Sequence, residues 1–333
     1  MNKTTLALLG TLLSVAVSIP PAVAQIPAWK TLHEEAIALY KKGDNERAEI
    51  AATKALESAT AALGPDHPNI ATGLANRATI LEARRKYTEA QADLMRALAI
   101  REKALGPDHL LVASTLNNLG SLYRDRGQTA QAEPLLVRAL AIREKALPPD
   151  HVDVATSLNN LAAVYRLQGK YAEAEPLYVR SLAIREKALG PTHLDVATSL
   201  NNLAALYDAQ LKFEQAEELY KRSLAIREKA LGPMHLEVAA SLNNLGELYQ
   251  TQRKFEKAEP LLKRAYEIRA KALGEKDPDR LATQKNLWAL YVSTGKYQDA
   301  EEYTPEGEMT PNAEQMRRRS GPPQSPRGTD PTR

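Results

Sequence analysis

The chain has 333 residues, a formal net charge of +3 and no cysteine, and 5% of its residues are aromatic. The absence of cysteine excludes disulfide bonds and a lipid-modified cysteine anchor, and the small net charge gives no broad basic face for nucleic acid. A compact globular chain of this length would form about two domains.

The first 24 residues are typical of a secretory signal peptide. Lys3 precedes an apolar run over residues 6–19, and Ala22-Val23-Ala24 places small residues where a signal peptidase cleaves. The apolar run is shorter than the roughly 20 residues that a membrane-spanning helix needs. We therefore expect cleavage after Ala24 and an exported protein, periplasmic or secreted, with no integral membrane segment once the signal is removed. The alternative is a retained membrane anchor.

The region from residue 25 to residue 303 repeats with a period of 42 residues. Two neighbouring units, 151–192 and 193–234, match at 31 of 42 positions, which favours duplication over shared helical composition. The register gives seven repeats, numbered here in chain order: 25–66, 67–108, 109–150, 151–192, 193–234, 235–276 and a partial 277–303. Repeats 2 to 6 each begin with a histidine: His67, His109, His151, His193 and His235.

Each repeat is predicted to form two antiparallel helices joined by a short turn. In repeat 5, Val196, Leu200, Leu203 and Tyr207 follow spacings of four, three and four, which define one face of an α-helix. Such repeats bury their core between neighbours, so we expect one elongated all-α domain. Four turns carry a glycine that permits the positive φ common at helix ends: Gly43, Gly127, Gly169 and Gly295. Every second helix has an alanine at the twenty-fourth position of its repeat: Ala48, Ala90, Ala132, Ala174, Ala216, Ala258 and Ala300.

Residues 304–333 form a segment rich in proline and arginine without apolar periodicity, and we expect it to be a disordered tail. Its basic residues, Arg317 to Arg319 among them, permit two interpretations: a solvated tail, or a contact with an anionic surface. Export disfavours nucleic acid as that surface.

The run HLDVATSLNNLAALYDAQLKFEQAEELYKRSLAIREKALG, residues 193–232, resembles the 42-residue tetratricopeptide repeat of the kinesin light chain type. The resemblance covers about residues 25–303 and combines the period, the LNNLA-x-LY block, the alanine after the turn and the REKALG close. It implies an α-solenoid, a right-handed superhelix of helix-turn-helix repeats whose first helices line a concave groove that holds peptides. The heptad segment by which kinesin light chains join their motor is not found, so motor function is not implied.

The asparagines of the LNNLA block are the candidate peptide-binding residues. They lie about 125 to 135° from the apolar centre of their helix, so we expect them to be exposed on the face turned away from the core. A row of amides can pair with the backbone of an extended peptide, a role that the resemblance also implies. The alternative is that they only solvate this face or bond between neighbouring repeats. The row comprises Asn76, Asn117, Asn118, Asn159, Asn160, Asn201, Asn202, Asn243, Asn244 and Asn286.

Charged residues one turn beyond the asparagines differ between repeats and are the candidates for specificity. Arg124 and Arg166 come first along the chain, and Asp208 and Glu247 follow. We expect a ligand whose acidic residues face the arginines and whose basic residue lies near the carboxylates. Replacing Asn160 and Asn202 with alanine is expected to weaken peptide binding while changing stability little.

The histidine row does not predict a metal site, because neighbouring repeats are about 8–10 Å apart. We expect these histidines to help begin each first helix, and we interpret His33, which is out of register, as drift in a terminal repeat.

No catalytic or cofactor-binding motif is found, and we interpret the REK segments, such as Arg143 to Lys145, as solvated charged faces. The chain is therefore expected to be a non-catalytic scaffold without cofactor or metal that binds a peptide or protein. The alternative is a structural assembly or oligomerisation factor. In that case the protein would self-associate through its C-terminal end, because the second helix of repeat 7 is cut short near Thr304.

Overall fold

The computed structural model describes residues 27–309, which form 14 α-helices and no β-strand. The predicted signal peptide and residues 310–333 of the tail lie outside the described residues. By the packing of its backbone the chain divides into two compact units, Met1–Ile100 and Arg101–Arg333, and the boundary falls within the helix Tyr87–Leu105.

Every described repeat forms a pair of helices, as the sequence predicts. Odd-numbered helices are the first and even-numbered helices the second of each repeat. The first unit contains α1 (Ala28–Lys41), α2 (Asn45–Leu63), α3 (Pro68–Ala83) and most of α4 (Tyr87–Leu105). The second contains α5 (Leu110–Asp125), α6 (Thr129–Ala146), α7 (Val152–Leu167), α8 (Tyr171–Leu189), α9 (Leu194–Ala209), α10 (Phe213–Leu231), α11 (Leu236–Thr251), α12 (Phe255–Ala272), α13 (Pro278–Ser293) and α14 (Tyr297–Glu301).

In the second unit each first helix packs against the second helix of its own repeat, and α7, α9, α11 and α13 also pack against the second helix of the repeat before them. The alanine at the twenty-fourth position is fully buried in all seven repeats. Val196 and Leu200 of α9 are likewise fully buried, and Leu203 is nearly so. The core is thus a series of clusters between adjacent helices, as expected where each repeat contacts only its neighbours.

The turns between paired helices adopt a left-handed conformation at one residue, as the glycines predict. Gly169 has φ of 76°, and Leu211 and Arg253 reach φ of 60° and 58° at the equivalent position. A side chain with a Cβ atom is strained there, so these two turns keep the backbone geometry at a cost in conformational energy.

The arginine of each REK segment is buried, so the interpretation of these segments as solvated faces was wrong at this position. Arg185 is 6% exposed, and its Nη1 donates to Ser199 Oγ at 2.8 Å and to the Asp195 carbonyl oxygen at 3.2 Å. Burial lowers the pKa of the Arg185 guanidinium. The same bond to a hydroxyl 14 residues later joins Arg101 to Thr115, Arg143 to Ser157, Arg227 to Ser241 and Arg269 to Thr283.

These arginines join the end of each second helix to the first helix of the next repeat. The sequence indicates these arginine–hydroxyl contacts, since a serine or threonine follows each REK arginine at a fixed distance. A single-helix projection misses it because the partner hydroxyl lies on another helix.

The C-terminal end of the described chain is covered in part by its own residues. After the five residues of α14, Tyr303 turns back and is 8% exposed. Its ring stacks on Tyr291 at 5.8 Å between centroids and meets Tyr266 edge-on at 5.2 Å. Gln284 Nε2 donates to the Thr304 carbonyl oxygen at 3.4 Å. Tyr303 is therefore part of the apolar cluster at this end of the described chain, together with Leu287, Tyr291 and Ala300.

Candidate functional site

The asparagines of the second unit form a ladder of side-chain hydrogen bonds between neighbouring repeats. In each rung the second asparagine of a repeat donates its Nδ2 to Oδ1 of the first asparagine in the preceding repeat. The rungs are Asn160 to Asn117 at 3.0 Å, Asn202 to Asn159 at 3.1 Å, Asn244 to Asn201 at 2.9 Å and Asn286 to Asn243 at 3.0 Å. The bonds tie adjacent first helices together.

The prediction that these asparagines are exposed is wrong for three of them. Asn117, Asn159 and Asn243 are only 6%, 6% and 7% exposed. The angular projection placed them correctly away from their own second helix, but the first helix of the next repeat covers that side. Asn118 is exposed, and the remaining members are half-buried: Asn76, Asn160, Asn201, Asn202, Asn244 and Asn286.

The first unit has an equivalent rung made by a histidine. His33 Nε2 and Asn76 Nδ2 lie 3.0 Å apart, and the sequence separation of 43 is the same as in the asparagine rungs. His33 occupies the position of the first asparagine in repeat 1. Its interpretation as drift was therefore incomplete, because its side chain makes the inter-repeat contact.

Two of the charged candidates, Arg124 and Glu247, contact the ladder directly. Arg124 Nη1 donates to Asn160 Oδ1 at 3.2 Å, and its Nε donates to Asp125 at 2.8 Å. At the other end of the row, Glu247 Oε1 accepts from Asn243 Nδ2 at 3.0 Å and also from Asn286. These two charged side chains thus lie beside the amides.

Arg166 and Asp208 lie next to two buried tyrosines that were not among the predicted site residues. Tyr178 and Tyr220 are 1% and 3% exposed. Burial raises the pKa of the Tyr178 phenol, while the charge of Arg166, and then a hydrogen bond with it, oppose that rise. Nε of Arg166 is buried and has no acceptor among the described residues. The sequence does distinguish Tyr178 and Tyr220, because repeats 3 and 6 have leucines, Leu136 and Leu262, at the equivalent position.

The carboxylates of Asp208 and Glu247 repel each other. Burial, followed by the charge of Glu247, raises the pKa of Asp208. Burial and then the charge of Asp208 raise the pKa of Tyr220. A cation placed beside Asp208 would relieve this unfavourable arrangement, whereas Arg166, whose Nε lacks an acceptor among the described residues, is suited to an anion.

The histidine row begins the first helices, as predicted. In repeats 2 to 6 the histidine is the N-cap, and its Nδ1 accepts from the backbone N–H two residues later at 3.1 Å. Nδ1 is therefore the acceptor, so a neutral ring carries its proton on Nε2. Asp277 makes the equivalent bond at 2.9 Å in repeat 7.

In the described part of the chain, no three acidic or histidine side chains are grouped as a metal ion would require. Within residues 27–309, no helix combines the length and the apolar character needed to cross a lipid bilayer.

Solved structures that are similar to this chain include repeats of the kinesin light chain type. A Podosopora anserina protein with nearly identical TPR-like repeats is 28% identical, covers 63% of this chain and 99% of its own, and has a TM-score of 0.50. BtubC (BKLC) from P. vanneervenii is 26% identical, with 74% and 96% coverage and a TM-score of 0.53. NprR in complex with its cognate peptide NprX is 15% identical, with 83% and 76% coverage and a TM-score of 0.60, and shows the fold alone. None of the curated proteins matches the chain.

Family models give the same result along most of the described helices. Two tetratricopeptide repeat models match residues 31–69 and residues 70–145, 153–229 and 237–303. With the 42-residue period and the paired helices, these matches show that the chain belongs to the tetratricopeptide repeat family.

Proposed function

We propose that the protein is a non-catalytic scaffold that binds an extended peptide, or an extended segment of a partner protein, along the first helices of its second unit. The observation that carries the proposal is the order of charges beside the ladder. Two arginines on α5 and α7 are followed by two carboxylates on α9 and α11.

The ladder leaves hydrogen-bonding capacity for a ligand. Asn160, Asn202 and Asn244 each use one of their two N–H groups in a rung, and within residues 27–309 Oδ1 of Asn202 and of Asn244 accepts no hydrogen bond. A peptide backbone could use these groups whatever its sequence. Burial of the first asparagines holds the second ones in place, which lowers the entropy lost on binding.

Electrostatics supports a ligand with both signs of charge. Neighbouring first helices lie about 8–10 Å apart, and an extended peptide advances about 3.3 Å per residue. One repeat therefore corresponds to about three ligand residues. We infer that an acidic ligand residue facing Arg166 and a basic one facing Asp208 stand about three residues apart. NprR, which shares the fold, is found with its cognate peptide, and this supports a peptide as the ligand class.

The test uses short labelled peptides and fluorescence anisotropy. Two peptides carry a glutamate and a lysine three residues apart, in either order, and a third carries glutamine at both places. We expect one charged order to bind more tightly than the neutral peptide. Asp208→Asn and Arg166→Gln should each weaken its binding about tenfold, as loss of a charge-assisted contact predicts.

Glu218→Gln is the matched control, because Glu218 is an exposed carboxylate on a second helix. Equal affinity for all three peptides, or equal losses in Asp208→Asn and Glu218→Gln, would rule out the charge order as the basis of recognition.

We further propose that the scaffold acts outside the cytoplasm, because residues 1–24 are typical of a cleaved signal peptide. Those residues lie outside the described part of the chain. Mass spectrometry of the protein from its native host should find Gln25 at the mature N-terminus. An intact N-terminus beginning at Met1 would contradict export by this route.

A further inference from the structure

We propose that a cleft where the α11–α12 turn meets the end of α13 binds the phosphate or pyrophosphate group of a small soluble molecule. The cleft has a volume of about 440 Å³, and its lining includes Arg253, Lys254, Lys257 and Lys296. It lies at the helix turns, and its lining contains none of the four charged residues proposed to bind a peptide.

The lysine that follows the turn is normally paired with a glutamate of the preceding second helix. Lys170 lies 3.1 Å from Glu133, Lys212 lies 3.2 Å from Glu175 and Lys296 lies 2.8 Å from Glu259. These pairs repeat at a constant sequence separation and join consecutive repeats.

In the cleft this pairing is broken. Glu217, the expected partner of Lys254, instead forms an ion pair with Lys221 and accepts a hydrogen bond from Tyr249 at 2.8 Å. Lys254 has no ion pair among the described residues, although its charge still acts on the Glu217 carboxylate. Its ammonium is therefore available to an anion from solvent.

Two further cations distinguish this cleft from its counterpart one repeat earlier. Arg253 and Lys257 stand where the α9–α10 turn has Leu211 and Gln215. Both are exposed, and neither forms an ion pair within residues 27–309; the Lys257 ammonium lies over the Tyr249 ring at 5.4 Å from its centroid.

The acidic groups of the lining do not neutralise these cations. Glu259 is engaged by Lys296 at 2.8 Å and by Lys263 at 3.0 Å. The other carboxylate of the lining, Glu256, is exposed and forms no ion pair in the described part of the chain. Three unpaired cations thus face one unpaired carboxylate.

This arrangement suits a compact oxyanion with more than one charge. A guanidinium donates two parallel hydrogen bonds to phosphate oxygens, and ammonium groups act as point charges beside it. The first turn of α12 adds a partial positive charge at the same end of the helix. Phe255 gives the cleft an apolar wall, and its volume lies in the range of small-molecule sites. We therefore assign a phosphorylated small molecule rather than a carboxylate as the ligand class.

The experiment is calorimetric titration of the full chain with pyrophosphate and with inorganic phosphate at physiological salt. The test variant combines Arg253→Gly with Lys257→Gln. Other repeats already have these residues at the equivalent positions, where they are Gly295 and Gln215. Because other turns tolerate these residues, the fold should be retained, and circular dichroism checks this. We expect wild-type binding of pyrophosphate, weakened about tenfold or more in the variant.

Lys212→Gln is the matched control, since Lys212 occupies the same position in the preceding repeat but is paired there. It should leave pyrophosphate affinity unchanged. Absence of pyrophosphate binding to the wild-type chain, or an equal loss in the control and the test variant, would overturn the proposal. Sedimentation with phosphatidic acid vesicles separates the sources: binding to vesicles without binding to free pyrophosphate would also overturn it.

Discussion

At the scale of single residues, the asparagine row has a structural role that an exposed row would not have. Asn159 is 6% exposed and its Oδ1 accepts from Asn202, so the bond satisfies an acceptor on a largely buried side chain. A hydrogen bond of this kind contributes about 1 kcal/mol, and leaving its buried partner unsatisfied costs about 1–3 kcal/mol. The ladder therefore stabilises the contact between repeats whether or not a ligand is bound.

We expect Asn202→Ala to lower the free energy of unfolding by about 1–2 kcal/mol, because it leaves Asn159 Oδ1 without its donor. This replaces the expectation of a small change that followed from assuming exposure. Asn118→Ala is the control, since Asn118 is exposed, and it should stay within about 0.5 kcal/mol of wild type. Urea unfolding followed by circular dichroism measures both. Equal stabilities of the two variants would mean that the rung contributes nothing.

The buried arginines lead to a second prediction at this scale. Ser199→Ala removes the hydroxyl that accepts from Arg185 and leaves a buried cation with one partner fewer. We expect a loss of about 1–3 kcal/mol in unfolding free energy. The neighbouring Thr198→Ala removes a hydroxyl that donates only to the Leu194 carbonyl oxygen of its own helix, so its effect should be smaller. A thermal melt in which Thr198→Ala is the less stable variant would contradict the assigned role of Arg185.

Residue-level prediction from the sequence succeeded where the interaction is local. The histidine caps involve a residue and its own helix, so their position before each first helix was sufficient. The burial of Asn159 and the environment of Tyr178 depend on the helix of another repeat. A projection of one helix does not contain that information. The 42-residue register does contain it, because it shows which positions of neighbouring repeats lie a constant number of residues apart.

At the scale of helices and turns, the left-handed residue of each turn fixes the angle between paired helices. Leu211 is strained in this geometry, and because 68% of its surface is exposed its side chain contributes little packing energy to offset the strain. The glycines at equivalent turns predict that Leu211 lies in a turn. They do not predict that Leu211 adopts the same positive φ, because a leucine alone would favour a different turn.

We expect Leu211→Gly to stabilise the protein by about 1 kcal/mol, since glycine adopts the positive φ without steric cost. The reverse change, Gly169→Leu, should destabilise by a similar amount at an equivalent turn. Comparison of urea midpoints tests both. Destabilisation by Leu211→Gly would show that the leucine side chain makes a contribution larger than the strain.

Ion pairs between consecutive repeats make stability depend on pH. A hydrogen bond from Lys296, and then one from Lys263, lowers the pKa of Glu259 from 4.5 to about 2 against the opposing effect of burial. Because the pKa is depressed in the folded state, the stabilisation is present above pH 4.5 and is lost as the pH falls towards 2.

Glu259→Gln should therefore be less stable than wild type at neutral pH, by about 1–2 kcal/mol once solvent screening is allowed for. The difference should shrink as the pH falls from 5 towards 2, because wild type then loses the same interaction. Thermal melts across this range measure the difference. A difference independent of pH would contradict the assigned ion pairs, and Glu256→Gln, at an exposed carboxylate, serves as the control.

At the scale of the whole molecule, each repeat contacts its neighbours, so the last described repeat lacks a partner on one side. The sequence predicted the shortened second helix of repeat 7 and therefore an open apolar seam. The register places Tyr303 at the position of Leu219 and Leu261, where an apolar side chain is expected. It did not predict that Tyr303 would fill part of that seam after α14 had ended at Glu301. The packing of Tyr303 on Tyr291 weakens the argument for self-association, which rested on an uncovered end.

Tyr303→Ala tests whether this residue caps the repeat array. Truncation of a buried aromatic side chain typically costs about 3–5 kcal/mol, and we expect about 2–3 kcal/mol for this site at the end of the repeat array. In an array of repeats the loss should be local, so backbone amides of α13 and α14 should exchange faster while those of α9 remain protected. The newly exposed faces of Tyr291 and Tyr266 should also promote association, visible in sedimentation velocity at increasing concentration.

Met309→Ala is the control because Met309 is 84% exposed. Unchanged exchange in α13 would show that Tyr303 is not a cap, and association of the wild-type chain to the same degree would restore the C-terminal end as a site of self-assembly.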